Sequence, residues 1–207
     1  SLFTKLYTSS DDNVKVNKYA NESKNGFSLL DENNVLPDDI LGGLEYWNRI
    51  YGRDAVDQQL FDNAGIGCHI EHFSERFPYG GPVLHHGTQI AVVDALLYNR
   101  DELENALGLP ENCGLSDEEL LLRLVLERGF DKLSMVNGDF CGAVYEPTQK
   151  QWTLFRDHLG VRPLYYYLDE RIFVFSTDIR GIASVEGLDL RVNEEKLFAR
   201  LNFCNHL

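Results

Sequence analysis

An α+β fold, with two mainly antiparallel sheets held between helical layers, is predicted by three features of the chain. A segment with helical periodicity precedes two strand-like runs, two well-signalled helix starts follow, and an antiparallel meander with short terminal helices completes the order. The length of 207 residues, 43% of them hydrophobic and 12% aromatic, supplies enough apolar material for one large core.

Residues 8–25 are mostly Ser, Asp, Asn and Lys and read as a loop or irregular extension. Residues 1–25 are therefore expected to be an extension, or a first strand plus loop, ahead of a domain over 26–207. Gly26 to Leu30 reads as a short strand. From Pro37, the recurrence of Ile40, Leu41, Leu44, Trp47 and Ile50 predicts an amphipathic helix, with Asp38 and Asp39 suited to its first turn. Ile66 to Phe73 and Gln89 to Leu97 read as strands, the second so continuously apolar that both faces of its sheet should be covered.

Asn99 and Ser116 each stand three residues before a glutamate, Glu102 and Glu119, so each predicts a reciprocal cap at a helix start. The second start leads into Leu120, Leu121, Leu124, Val125 and Leu126, a broad apolar face. Gly138 to Tyr145, Trp152 to Leu154, Leu164 to Leu168 and Ile172 to Phe175 are β-rich, with Asp169-Glu170 as a hairpin loop. Asp178 to Ala183 and Asn193 to Leu201 read as short helices, Asn193 being a cap.

The balance of 33 acidic against 19 basic side chains gives a net charge of −14. Such a charge repels phosphate backbones and anionic lipid, so neither nucleic acid nor a membrane is an expected partner. No apolar run reaches the ~18–20 residues of a membrane span. Cys68, Cys113, Cys141 and Cys204 are widely spaced with no C-x-x-C pair, which fits reduced thiols and a cytoplasmic location. Cys68, His69, His72, His85, His86, Cys204 and His206 offer zinc-type donors, but their spacing matches no closed site and no metal is expected. A Cys68–His–Asp94 triad can be drawn on paper, as it can in any chain with six histidines.

Four blocks taken together are distinctive: Ala95 to Leu103, Ser116 to Leu121, Gly138 to Ala143, and Arg156 to Tyr166 with its Arg-Asp-His-Leu-Gly-Val-Arg-Pro-Leu-Tyr-Tyr run, followed by Phe175 to Arg180. In this order they resemble the class II glutamine amidotransferase domain of asparagine synthetases over about residues 26–203. The resemblance implies the four-layer αββα sandwich of N-terminal-nucleophile hydrolases, and a synthetase domain following in the same full-length chain. The sequence given stops at Leu207, where the family crosses into that half. The Ser-Gly-Gly-x-Asp-Ser motif of the synthetase half is absent, so no cofactor is expected in this domain, ATP and Mg belonging only to the other. A homodimer is compatible with the same resemblance.

The blocks also have plain structural readings. Asp157 and Arg162 around Gly160 suit a hydrogen-bonded turn, and Tyr165-Tyr166-Tyr167 suits strand packing. In relatives with a complete enzyme this turn lies toward the synthetase domain, so an interface role is the sharper alternative.

Measured against the family, the glutaminase machinery departs at three points. The nucleophile is a terminal cysteine whose own α-amino group acts as base, yet no cysteine precedes Cys68. Ser1 takes its place if Ser1 to Tyr7 is the first strand, although Ser1-Leu2 could be vector-derived. If Gly26 to Leu30 is the first strand, the place falls near Glu22 or Ser23, with no free amine. The oxyanion hole comes from Asn-Gly-Glu-x-Tyr-Asn in the family and matches Asp94 to Asn99 here, so Asp94 and Ala95 stand for the two donors. Losing one donor costs roughly 3–4 kcal/mol, and a like charge at about 4 Å adds a few more at an effective dielectric of ~20. Rescue would require a protonated Asp94, hence a pKa raised by burial. The carboxylate clamp of Gly-His-x-Arg-Leu matches Gly67-Cys68-His69-Ile70-Glu71, placing His69 and Ile70 in the glutamine pocket, where Ile70 cannot replace a guanidinium. Asp117 matches the acid that receives the substrate amine, and doubles as a helix first-turn residue.

The expectation is an amidotransferase-like domain without glutaminase activity, binding glutamine weakly if at all and serving a structural or regulatory role beside the synthetase domain. β-Lactam synthetases and lasso-peptide cyclases, which lack the nucleophile, are the precedent by analogy. The rivals are a glutaminase using Ser1 to supply ammonia, and a binding module in which Asp94, Asp117 and Glu71 take a cationic ligand.

Overall fold

A computed structural model of the chain describes residues 6–7, 55–60, 64–70, 83–149, 151–168, 173–185, 188 and 190–201. The elements are β1 (Leu6–Tyr7), β2 (Ala55–Leu60), β3 (Gly65–Ile70), β4 (Leu84–His86), β5 (Gln89–Leu97), α1 (Arg100–Leu107), α2 (Asp117–Arg128), a 3₁₀ helix (Phe130–Met135), β6 (Gly138–Glu146), β7 (Gln151–Arg156), β8 (Tyr165–Leu168), β9 (Phe173–Ser176), α3 (Ile179–Ala183) and α4 (Glu194–Leu201). The predicted loop over 8–25, strand over 26–30, helix from Pro37 and hairpin loop at Asp169-Glu170 lie outside the described residues, as do Ser1, Glu71, His72, Cys204 and His206.

The chain is α+β. Among the described residues the largest sheet has five strands in the order β1-β7-β6-β5-β4, and β2–β3 and β8–β9 form two further pairs. Among the described strands every pairing is antiparallel except β1 with β7, where Leu6 opposes Leu154 and Tyr7 opposes Phe155.

Strand alternation divides the core in two. On β5, Ala91, Val93, Ala95 and Leu97 join Leu103 and Leu107 of α1 and Leu120, Leu121, Leu124 and Val125 of α2 in one apolar cluster. Ile90 and Val92, on the other side of the strand, join a second cluster with Ile66 of β3, Tyr145, Trp152, Leu154, Val174 of β9 and Ile182 of α3. Two-sided covering explains the near-continuous apolar run of β5. Leu120, Leu121 and Leu124 are fully buried, and each such leucine contributes roughly 1.5–3 kcal/mol of transfer free energy. Close approach is built in by glycine at Gly142: a Cβ there would lie 2.4 Å from Phe155 Cζ.

The helix starts divide the predictions. At Ser116 the reciprocal cap is formed, with Glu119 N donating to Ser116 Oγ at 3.1 Å and Ser116 N donating to Glu119 Oε2 at 2.8 Å. At Asn99 it is not: the side chain makes no cap, because Oδ1 accepts from Asn137 N and Nδ2 donates to Glu102 Oε2 and Met135 O. Asn99 instead ties α1 to the 3₁₀ helix, an element that the sequence reading did not anticipate. The Asn193 cap is present, accepting from Lys196 N at 2.9 Å. The turn after β7 follows expectation: the Asp157 carboxylate accepts from Val161 N at 2.9 Å and Arg162 N at 3.1 Å, and Gly160 adopts φ 66°. Among the described residues no helix is long and apolar enough to cross a membrane.

Candidate functional site

The C-terminal half of β5 leaves the core. Ile90 and Val92 pack into the second cluster, and Asp94, Leu96 and Tyr98 continue along the same side of the strand. There Leu96 is 46% exposed, Tyr98 58%, and the Asp94 side chain 50%. In register, Asp94 opposes Cys141 of β6 and Cys141 opposes Arg156 of β7.

Arg162 approaches this rung from the Asp157-anchored turn. Its Nη1 lies 3.4 Å from Asp94 Oδ2, close enough for an ion pair and longer than a strong charge-assisted hydrogen bond. Desolvation pushes the Asp94 carboxyl above its ordinary pKa and the Arg162 charge opposes the shift. The upward direction is the one a protonated Asp94 would need, but the guanidinium and the open half of the side chain both favour the ion. Burial, with the Asp94 charge next, pushes the Cys141 thiol far up. Cys141 is 2% exposed, so it is an inert thiol of the core. Cys68 is likewise pushed up to about 12 by burial and by Asp57. The Tyr98 hydroxyl donates to Asp139 Oδ2 at 2.7 Å, which raises its pKa.

Asp117 opens α2 and is engaged on both oxygens. Oδ2 accepts from Leu97 N at 2.8 Å and Oδ1 accepts from Arg100 Nη1. Arg100 also donates to Leu115 O at 2.9 Å and to Glu104 Oε1 at 3.2 Å. Glu104, 1% exposed, accepts further from Asn112 N at 2.9 Å. Burial opposes ionisation of Glu104, and these donors outweigh it and hold its pKa down. The network fastens the end of β5 to the starts of α1 and α2. Burial raises the neighbouring Glu118 carboxyl, against its own backbone amide and the Ser116 hydroxyl, and the charges of Asp117 and Asp94 add to the rise. Glu118 thus lies within electrostatic reach of both Asp117 and Asp94.

Of the other residues singled out from sequence, Ala95 is buried on the helical side of β5, with Phe140 opposite it in the ladder. His69 and Ile70 lie in β3, in register with Val56 and Ala55. The sequence reading gave Arg162 to the turn and left Arg100, Glu104 and Glu118 unassigned. Their spacing gives no sign of where long side chains end, although an i,i+4 Arg100–Glu104 pair is a legible signal. Among the described residues no group of three or more His, Cys, Asp or Glu could hold a metal ion.

The chain belongs to the glutamine amidotransferase domain family, whose sequence model matches residues 81–206. Within that family it is the class II domain of the asparagine synthetase type. A Methanocaldococcus jannaschii protein provisionally designated asparagine synthetase (glutamine-hydrolyzing) 2 is 32% identical over 115 residues, 56% of this chain and 22% of the relative. Asparagine synthetase (glutamine-hydrolyzing) 3 of Bacillus subtilis is 29% identical over 112 residues, 53% of this chain and 18% of the relative. Asparagine synthetase B (glutamine-hydrolyzing) of Escherichia coli is 34% identical over 85 residues, 40% and 15% respectively. The chain therefore spans about a fifth of the length of these relatives.

Proposed function

We propose that this chain is the N-terminal domain of an asparagine-synthetase-like, ATP-dependent ligase, that it does not hydrolyse glutamine, and that it acts on the ligase domain as a structural or regulatory partner. The observation that carries the reading is the Asp94–Arg162 ion pair at the end of β5. A carboxylate stands at the position where the family presents an amide donor, and a guanidinium 3.4 Å away favours its ionised form. An ionised group there opposes the negative charge that develops on the substrate oxygen during amide hydrolysis. Asp117, the one retained match, spends both oxygens on Leu97 N and Arg100, which favours its structural role.

The partner surface in this reading takes in the turn after β7, the start of β8 and the start of α3. Leu159 is 77% exposed, Val161 52% and Ile179 57%, with Tyr165 and Tyr166 also open to solvent. Apolar exposure of this kind marks contact surfaces, and the length of the relatives leaves room for the covering domain. Co-expression with the downstream ligase half tests it. The two halves should co-purify, and Leu159→Asp combined with Ile179→Asp should separate them while leaving this domain folded. Failure of the native halves to associate under any condition contradicts the reading.

A further inference from the structure

α4 presents its apolar stripe away from the rest of the domain. The helix has eight residues, and Ala199 is the one of them that is buried. Leu197 and Leu201 each stand two residues from Ala199, so at about 100° per residue both point roughly 200° away from it. They lie one turn apart on the same face. Val192 precedes the Asn193 cap and Leu197 is the fourth helical residue, the spacing of a hydrophobic staple. Yet Val192 is 72% exposed, Leu197 49% and Leu201 70%. Isolated helices shorter than ~12–15 residues are marginal in water, and short helices persist in proteins by packing an apolar face. The face that α4 has for that purpose is turned outward.

We propose that α4 is a docking helix, whose stripe of Val192, Leu197 and Leu201 is covered by an apolar surface of the ligase half of the same protein. This docking rests on the ligase half being present, as proposed, and adds a second contact to the one around Leu159 and Ile179. Two observations favour that occupant over a second copy of the domain. The matched stretch is 22% and 18% of two of the relatives, so most of such a protein lies outside this domain, and a tethered half meets α4 at millimolar effective concentration. A second copy brings its own net charge of −14, and the like charges oppose pairing. α4 also falls within the matched residues 81–206, as an element of the family domain.

The test is photo-crosslinking in the full-length protein, with Leu201→p-benzoylphenylalanine mixed with isotope-labelled unsubstituted protein so that links within and between copies differ in mass. Irradiation should join position 201 to peptides of the ligase half of the same copy, and Val192→p-benzoylphenylalanine should do the same if the first variant fails to fold. Glu195→p-benzoylphenylalanine, on the other side of the helix, should give no ligase-half product. Leu197→Asp in the full-length protein should speed amide exchange over Glu194–Leu201 about tenfold or more, because the cover is lost, and leave the amides of β5 to β7 unchanged. Links to a second copy, links confined to this domain, equal ligase-half products from Glu195, or exchange unmoved by Leu197→Asp would each overturn the assignment. Co-purification of the two halves reports on the ligase reading alone. Halves that associate while position 201 joins only this domain would refute the docking helix and leave that reading standing.

Discussion

Replacing Asp157 with asparagine separates a charge-dependent turn from one held by shape alone. The carboxylate is 2% exposed and accepts from Val161 N at 2.9 Å and Arg162 N at 3.1 Å. Asparagine keeps one oxygen and turns an NH₂ toward the second amide, so one charge-assisted hydrogen bond becomes two donors face to face. Losing such a bond costs about 1.5–3 kcal/mol, and the stranded buried donor brings the total to about 2–4 kcal/mol. In a domain of this size that lowers Tm by roughly 5–15 °C. The pH dependence has a fixed sign. Burial opposes the Asp157 charge, and hydrogen bonds from the backbone outweigh it, holding the carboxyl below its ordinary pKa. Its stabilisation is complete above the unfolded-state pKa and disappears as pH falls through the folded one. Urea denaturation followed by circular dichroism should therefore show a constant gap between native protein and Asp157→Asn near neutrality, closing in strong acid. A gap below ~0.5 kcal/mol, or one that widens on acidification, would rule out a turn held by the Asp157 charge.

Two further changes probe the frame around the site. Gly142→Ala drives a methyl into Phe155, which is fully buried and packed against Phe130 and Phe140 at ring distances of 5.7 and 6.4 Å. It should cost about 1–3 kcal/mol in chemical denaturation, and a neutral result would mean that the ring can withdraw. Ser116→Ala removes the oxygen that accepts from Glu119 N and should destabilise by about 1 kcal/mol, whereas Asn99→Ala should act by freeing the 3₁₀ helix, seen as faster amide exchange at Asn137.

Legibility in the sequence tracked how local each interaction is. The Ser116 capping box, the Asn193 cap and the Asp157 turn close within five residues, so residue type and spacing sufficed. Asn99 carried the same spacing signal and failed, because Asn137, far along the chain, took its oxygen. The sheet order could not be read, since β1 joins β7 in parallel across most of the chain. At the site, the motifs located Asp94 and Asp117, but the partners that define their behaviour are Arg162, 68 residues from Asp94 on the far side of β6 and β7, and Arg100, 17 residues from Asp117. Long cationic side chains reach across elements in directions that periodicity does not encode.

Loss of glutaminase chemistry is tested by ammonia release from L-glutamine by the full-length protein with its native N-terminus, at neutral pH, against a buffer blank. With a carboxylate at position 94 held beside Arg162, release should match the blank, and Asp94→Asn alone should not restore it. Saturable, enzyme-proportional ammonia release that vanishes when a single residue is added ahead of the N-terminus would contradict the account and establish a terminal nucleophile.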